Sequence, residues 1–300
     1  MTNNPLIPQS KLPQLGTTIF TQMSALAQQH QAINLSQGFP DFDGPRYLQE
    51  RLAYHVSQGA NQYAPMTGVQ VLREAIAQKT ERLYGYQPDV DSDITVTAGA
   101  TEALYAAITA LVRNGDEVYE HINFSQQGHA SVLAHPQLRE RAVAVSSFGK
   151  TYHMTGWKVG YCVAPAPISA EIRKVHQYLT FSVNTPAQLA LADMLRAEPE
   201  HYLALPEFYR QKRDILVNAL SESRLEILPC EGTYFLLVDY SAVSTMDDVE
   251  FCQWLTREHG VAAIPLSVFC ADPFPHKLIR LCFAKKESTL LAAAERLRQL

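Results

Sequence analysis

From residue 45 to about residue 195, short runs of β-branched and small apolar residues alternate with longer amphipathic stretches, and this alternation constrains the fold most. Pro45–Ser57 and Val69–Tyr84 carry apolar residues at helical spacing. Ile94-Thr95-Val96-Thr97 is a strand pattern that runs through Ala98-Gly99-Ala100-Thr101 into a helical pattern ending near Arg113, where Asn114-Gly115 supplies a stop. Ala142-Val143-Ala144-Val145 and Trp157–Val163 are two further strand patterns. Beyond Thr185-Pro186 a helical stretch reaches about Ser221. Strand patterns at Gly232–Asp239 and Leu278–Ala284 then flank a helical pattern near Met246–His259, and a closing helix carries Leu290, Leu291, Ala294 and Leu297 on one face. The expectation is an α/β region followed by a separate α+β region, with the Pro-rich first 16 residues as an arm that packs elsewhere.

Composition excludes several classes of function. With 300 residues, 47% of them hydrophobic and 18% charged, the chain can bury a full core, which argues against disorder and disulfide scaffolds. A net charge of −5 offers no basic field for phosphate backbones, so nucleic acid is not an expected partner. No apolar run approaches the roughly 20 residues needed to span a bilayer. Met1-Thr2-Asn3-Asn4-Pro5 has neither the basic nor the apolar part of a secretory leader, so a cytoplasmic protein without membrane contact is expected. Cys162, Cys230, Cys252, Cys270 and Cys282 lack Cys-x-x-Cys spacing and read as buried, reduced thiols. His121, His129 and His135 read as surface histidines rather than a metal site. Nucleotide-binding glycine loops, the serine-hydrolase elbow and the His-Glu-x-x-His metal motif are all missing from the sequence.

The densest chemical signal is Ser146-Ser147-Phe148-Gly149-Lys150-Thr151 followed by Gly156-Trp157-Lys158-Val159-Gly160-Tyr161. A lysine just past a buried strand and beside a glycine can lie in a cleft. A second lysine eight residues on would lower its pKa by like-charge repulsion, which makes an amine nucleophilic toward carbonyl carbon. Taken alone, either lysine is more simply explained as a solvated one. Ala98-Gly99-Ala100-Thr101-Glu102-Ala103 lies at a strand-to-helix junction, where exposed N–H groups and the helix dipole attract anions. Ile279-Arg280-Leu281-Cys282-Phe283 sets an arginine within an apolar strand. Its ordinary explanation is a sheet edge, but a planar guanidinium also suits bidentate binding of a carboxylate.

Together these segments resemble fold-type I pyridoxal-phosphate aminotransferases of class I/II. Ser36-Gln37-Gly38-Phe39-Pro40-Asp41-Phe42 resembles the N-terminal loop of the branch holding methionine-preferring and kynurenine–glutamine aminotransferases. The resemblance implies that Lys150 links covalently to pyridoxal 5'-phosphate, and that Ala100, Thr101, Ser147 and Lys158 hold its phosphate. Many relatives have arginine at the position of Lys158. Asp116-Glu117-Val118-Tyr119 matches the family's Asp-x-x-Tyr, with Asp116 on the pyridine nitrogen and Tyr119 on the phenolic oxygen. Arg280 and the backbone of Gly38 would bind the substrate carboxylate. Asn61-Gln62-Tyr63 with Gly68 matches the segment whose tyrosine, here Tyr63, reaches the phosphate of a neighbouring subunit, which implies a homodimer with shared active sites.

The implied fold is a large α/β domain with a shortened, mainly parallel sheet plus a smaller α+β C-terminal domain. Its expected divisions are 1–35 (arm and part of the small domain), 36–190 (cofactor-binding domain) and 191–300 (small domain). The middle is short, because the family has several βα units between the Gly-Ala-Thr turn and its Asp-x-x-Tyr strand. Three such units at roughly 30 residues each make about 90 residues absent near 115–119. An in-frame loss between two Asp-Glu-Val copies would produce the observed junction. The expected activity is transfer of an amino group from an L-amino acid (methionine, aromatic or glutamine-like) to a 2-oxo acid, reduced by the internal deletion. The rivals are a C–S lyase on the same cofactor, an impaired remnant, and a transcription regulator, which would need an N-terminal helix-turn-helix module that the sequence lacks.

Overall fold

The computed structural model describes residues 16–111, 115–116, 119–125, 127–270, 272 and 274–300. The expected arm lies outside these apart from Gly16, as do Glu117 and Val118; of Gly115 and Asp116 only the backbone is described. Helix α1 (Ile19–Gln29) and strand β1 (Ile33–Asn34) come first, then α2 (Arg46–Ser57) and α3 (Gln70–Tyr84). Strand β2 (Ile94–Thr97) enters α4 (Gly99–Leu111), which leads to β3 (Gly115–Asp116). The short α5 (Pro136–Arg139) precedes β4 (Ala144–Ser147), the single turn α6 (Phe148–Thr151) and β5 (Gly160–Val163). Helices α7 (Ala166–Leu179), α8 (Thr185–Ala197) and α9 (Pro199–Leu220) follow. The last third holds β6 (Glu226–Ile227), β7 (Phe235–Asp239), α10 (Asp248–Glu258), β8 (Val261–Ala262), β9 (Ile264–Pro265), β10 (Leu278–Cys282) and α11 (Glu287–Leu297).

One sheet has the strand order β2-β5-β4-β3. Among the described residues it is mixed rather than mainly parallel. Strand β5 runs antiparallel to both β2 and β4, and only β3 pairs parallel with β4, through Gly115↔Ala144 and Asp116↔Val145. Parallel neighbours need crossover units, and the short middle holds few; β4 and β5 are joined by a short return, which makes them antiparallel. Helix α4 lies across β4 and β5 and packs on α7. Its inward residues are small (Ala100, Ala103, Ala106, Ala107) and meet Val145, Cys162, Ala164 and Ile172, so helix and sheet approach closely. The second sheet, β6-β7-β10-β9, is antiparallel, and Arg280 sits on its interior strand β10, paired with Leu237 and Ile264. Arg280 is therefore not the edge-strand arginine of the ordinary explanation. Strand β1 pairs with β8, which ties the beginning of the described chain to its last third.

Several sequence expectations shift in position. Strand β4 covers 144–147 instead of 142–145, because two serines that look like a strand end are buried and Ser146 donates to the Glu120 carboxylate. Helix α7 was not legible; Arg173 on it donates to Thr95 Oγ1 at 3.0 Å and to the Ile94 carbonyl at 2.8 Å, locking it to β2. His121 is buried rather than on the surface, with its ring 5.1 Å from that of Tyr202. Of the five free thiols, Cys162, Cys252 and Cys282 are buried, Cys230 is half-buried and Cys270 is exposed, contrary to the expectation for the last two.

The tightest point of the fold is Gly160. A Cβ there would lie 2.7 Å from Ala100 N, 2.7 Å from Ser146 O and 2.8 Å from Gly99 C, all backbone atoms that cannot swing away. Gly160→Ala is expected to lower unfolding free energy by about 1–3 kcal/mol, the usual penalty for overpacking. Urea denaturation measures this, and an unchanged midpoint would show that the β2–α4 turn can move away from β5.

Candidate active site

Strand β4 ends at Ser147 and the chain turns at once into α6, so Lys150 stands one turn beyond a fully buried strand. It returns through the short turn Thr155–Trp157 to Lys158, which takes a left-handed backbone (φ 53°) before β5. This brings both lysines beside the β2–α4 junction. Gly99 there has φ 73°, and a Cβ on it would come within 3.4 Å of the Lys158 ammonium, so glycine keeps this face of the turn open. Gly99, Ala100, Thr101, Leu104, Tyr119, Ser147, Gly149, Lys150, Thr155, Lys158 and Val159 line a cavity of about 270 Å³.

The cavity is built from donors and cations. The first amides of α4 are free of intrahelical partners, as at any helix start. Thr101 and Ser147 add hydroxyls, and Lys158 Nζ lies 3.4 Å from Thr101 Oγ1. Lys150 is half-buried and its amine is 3.5 Å from the Gly38 carbonyl, 5.7 Å from the Tyr234 ring and 6.0 Å from the Tyr119 ring. Burial lowers its pKa; the charges of Lys158 and Arg280 add to this, against an opposing contribution from Cys282. Desolvation therefore does more than the second lysine that the sequence pointed to.

Gly38 stands beside the cavity. A Cβ on it would be 2.6 Å from Phe235 Cζ and 2.9 Å from Tyr234 Cε2, so the loop approaches β7 only as glycine. Its carbonyl accepts from Tyr234 OH at 2.9 Å, and Tyr234 is hydrogen-bonded to Tyr119. The loop is held further by Lys285, which donates to the Phe39 carbonyl at 2.7 Å, and by Asp41, which accepts from Thr289 OH at 2.6 Å. Arg280 packs its guanidinium 3.9 Å from the centre of the Phe235 ring, with Phe20 and Phe269 each at 5.5 Å. Its Nε is buried without a hydrogen-bond partner among the described residues. Burial depresses its pKa, yet the group has no carboxylate in ion-pair contact among those residues. A buried guanidinium donor left open is what an incoming carboxylate would satisfy.

Below Tyr119 lies a polar network that sequence reasoning missed. The Glu120 carboxylate accepts from Lys79 Nζ at 2.8 Å, from Tyr161 OH at 3.3 Å, and from Ser146 and Tyr84. Burial alone would raise its pKa, but Lys79, His121 and these donors hold it well below the carboxylate range. The network ties Tyr119 to the strand that carries Ser147. Nothing local in the sequence marks it, because Lys79 and Glu120 are 41 residues apart.

The structure thus brings together Ala100, Thr101, Tyr119, Ser147, Lys150 and Lys158, with Gly38 and Arg280 adjoining. Tyr63 is not among them. It is 84% exposed, 5.6 Å from the Phe181 ring, and lines a separate pocket of about 480 Å³ with Asn61 and Asn184. Asp116 has its backbone on β3, and its side chain lies outside the described residues.

The model of the aminotransferase class I and II family matches residues 30–121 and 115–297. The chain belongs to this family, and it is an enzyme of amino-group transfer. It is 76% identical over 386 aligned positions to the methionine aminotransferase of Escherichia coli, covering 100% of both chains. A probable N-succinyldiaminopimelate aminotransferase of Mycobacterium tuberculosis is 31% identical over 96% of this chain and 97% of its own. The solved structure of the E. coli protein YbdL, for which a methionine aminotransferase function is described, superposes with a TM-score of 0.96 at 75% identity, covering 99% of this chain and 100% of the other. The alignment of 386 positions exceeds the 300 residues of this chain by 86, and the two family matches overlap at residues 115–121. The chain therefore lacks a stretch that this relative has, at the junction expected from the sequence.

The desolvated amine makes a direct prediction. Competitive acetylation followed across pH by mass spectrometry should place the reactivity curve of Lys150 below that of solvent-exposed lysines, and Lys158→Gln should move it upward. Coincident curves would mean that the amine is not desolvated in solution.

Proposed function

We propose that the chain transfers the amino group of an L-amino acid, methionine foremost, to a 2-oxo acid, using pyridoxal phosphate in the Lys150 cavity. The observation that carries this is the meeting of a desolvated amine, an anion-seeking donor set at the α4 N-terminus, and an arginine whose Nε lacks a partner among the described residues. The donor set fits a phosphate, and Gly99 leaves the turn open to it. When bound, the cofactor supplies an electron sink for breaking the bond between the substrate Cα and its hydrogen. Methionine as donor follows from the 76% identical relative.

In this reading the Ala100 and Thr101 amides, the Thr101 and Ser147 hydroxyls and the Lys158 ammonium bind phosphate. Lys150 would hold the cofactor and carry the proton at Cα, a task for which a lowered pKa suits an amine. Tyr119, hydrogen-bonded to Tyr234, would donate to the phenolic oxygen, and the family resemblance assigns Asp116 to the ring nitrogen. Arg280 and the Gly38 amide orient the substrate carboxylate, while Phe20, Phe235 and Phe269 exclude water around the guanidinium. Tyr63 would reach the phosphate of a second subunit. Its exposure, together with that of Tyr178, Leu179 and Phe181, supports a homodimer with shared sites. For a division into 36–190 and 191–300, the pairing of β1 with β8 supports grouping the described residues before 36 with the latter. A cytoplasmic location accords with five free thiols; no described helix is long and apolar enough to cross a membrane.

Incubation with L-methionine, pyridoxal phosphate and a 2-oxo acid should yield the 2-oxo acid of methionine and the amino acid of the acceptor. Ammonia with a released thiol would assign the C–S lyase instead. The missing 86 positions should leave the rate below that of the 386-position relative. Arg280→Ala should raise KM and cost roughly 2–4 kcal/mol in kcat/KM, as for an oriented charged hydrogen bond, with cofactor absorbance unchanged. Lost cofactor with retained substrate affinity would make Arg280 structural.

A further inference from the structure

The α4 N-terminus holds a buried carboxylate of its own. Glu102, in the first turn, reaches back so that Oε2 accepts the Ala98 N–H at 2.7 Å. Its other oxygen lies 2.6 Å from Nδ1 of His176 on α7, whose side chain is fully buried. Nε2 of the same ring lies 2.8 Å from the Met66 carbonyl. A carbonyl can only accept, and an ionised Glu102 can only accept, so both ring nitrogens donate and the ring is an imidazolium. Burial opposes this charge, but Glu102 and Met66 outweigh burial and raise the His176 pKa. The other ionisable groups facing the pair are Arg173 on α7, whose charge opposes that of His176, and the Cys162 thiol on β5, which burial pushes up to about 12 and so keeps neutral.

An uncompensated carboxylate in the first turn would compete with an incoming phosphate for the same dipole and repel it through a low-dielectric interior. We propose that His176 is the counter-ion that neutralises Glu102 and thereby keeps the α4 N-terminus able to hold a phosphate. Its second bond, to Met66, ties this turn to the segment that carries Tyr63, so one buried ring positions the phosphate turn of this chain and the segment proposed to reach the phosphate of a second subunit. Neither residue lines the cavity, and both act as positioning residues. The inference rests on the phosphate site proposed above.

The test is a comparison of pyridoxal phosphate with pyridoxal, which lacks the phosphate, by absorbance titration of the full chain stripped of cofactor. The ratio of their affinities reads the phosphate contribution without any turnover. His176→Gln leaves Glu102 charged and should reduce the ratio by about tenfold or more, as expected when one partner of a buried pair is removed. Glu102→Gln should nearly preserve it, because the amide oxygen can still accept from Ala98 while its NH₂ donates to a neutral His176. The double variant Glu102→Gln/His176→Gln should recover most of what His176→Gln alone loses. In the wild type the ratio, corrected for the ionisation of phosphate itself, should fall as pH rises through the raised His176 pKa, since the charged ring exists below it. That measurement needs no variant and stands even if His176→Gln misfolds. Equal losses in both single variants without recovery in the double would make the pair merely structural and overturn the inference. A wild type that binds both ligands equally would overturn the phosphate site itself, and the inference with it.

Discussion

The amine of Lys150 is held largely out of water with cations for neighbours, and much of the structure exists to keep it so. Strand β4 delivers it, and the return through Lys158 closes one side of its cavity. The Gly38 loop, pinned by Tyr234, Lys285 and Asp41, closes the other. None of these neighbours presents a carboxylate to it among the described residues; its amine lies 3.5 Å from the Gly38 carbonyl. A cluster of Lys150, Lys158 and Arg280 without an ion-paired carboxylate among the described residues is costly to fold, and such a cost is typical of a site awaiting anions. By contrast Lys79, more deeply buried than Lys150, is paired with Glu120. The two lysines differ in their partners, which fits a structural role for Lys79 and the proposed reactive role for Lys150.

The shortened middle shapes the sheet but leaves this arrangement standing. Among the described residues the β2-β5-β4-β3 sheet ends at β3, of which two residues are described. The outer face of α4 exposes Tyr105 and Ile108, each 57% accessible, leaving apolar surface without cover among the described residues. Every group of this cavity proposed to hold phosphate lies on β2–α4 or β4–β5, which come into close backbone approach at Gly160. The loss falls between α4 and Tyr119, so it costs the ring-binding side of the cavity more than the phosphate side.

Much of the site was legible because its residues sit on short contiguous motifs. Ser147, Lys150 and Lys158 lie within one strand–turn–strand, and Ala100 and Thr101 within one strand-to-helix turn, so spacing alone brings each set together. Arg280 was legible as a polar residue in an apolar strand, although its place on an interior strand came only with the register of β10. What stayed hidden depends on pairs distant in sequence. Lys79 with Glu120, Glu102 with His176, and Tyr234 with Gly38 are separated by 41, 74 and 196 residues, and a single sequence carries no local trace of such contacts. Sheet direction was hidden for a related reason: strand patterns state period, not partner. Ser146 and Ser147 looked like a strand end because polarity was read without the Glu120 acceptor that satisfies Ser146.

The central claim is that this chain, despite its short middle, still presents one reactive lysine to a phosphate-bearing aldehyde. Borohydride reduction in the presence of stoichiometric pyridoxal phosphate, followed by peptide mapping, tests it most directly. A single stable adduct on Lys150 is expected, with no adduct at that stoichiometry in Lys150→Ala. Adducts scattered over exposed lysines, or a dominant adduct elsewhere, would contradict it.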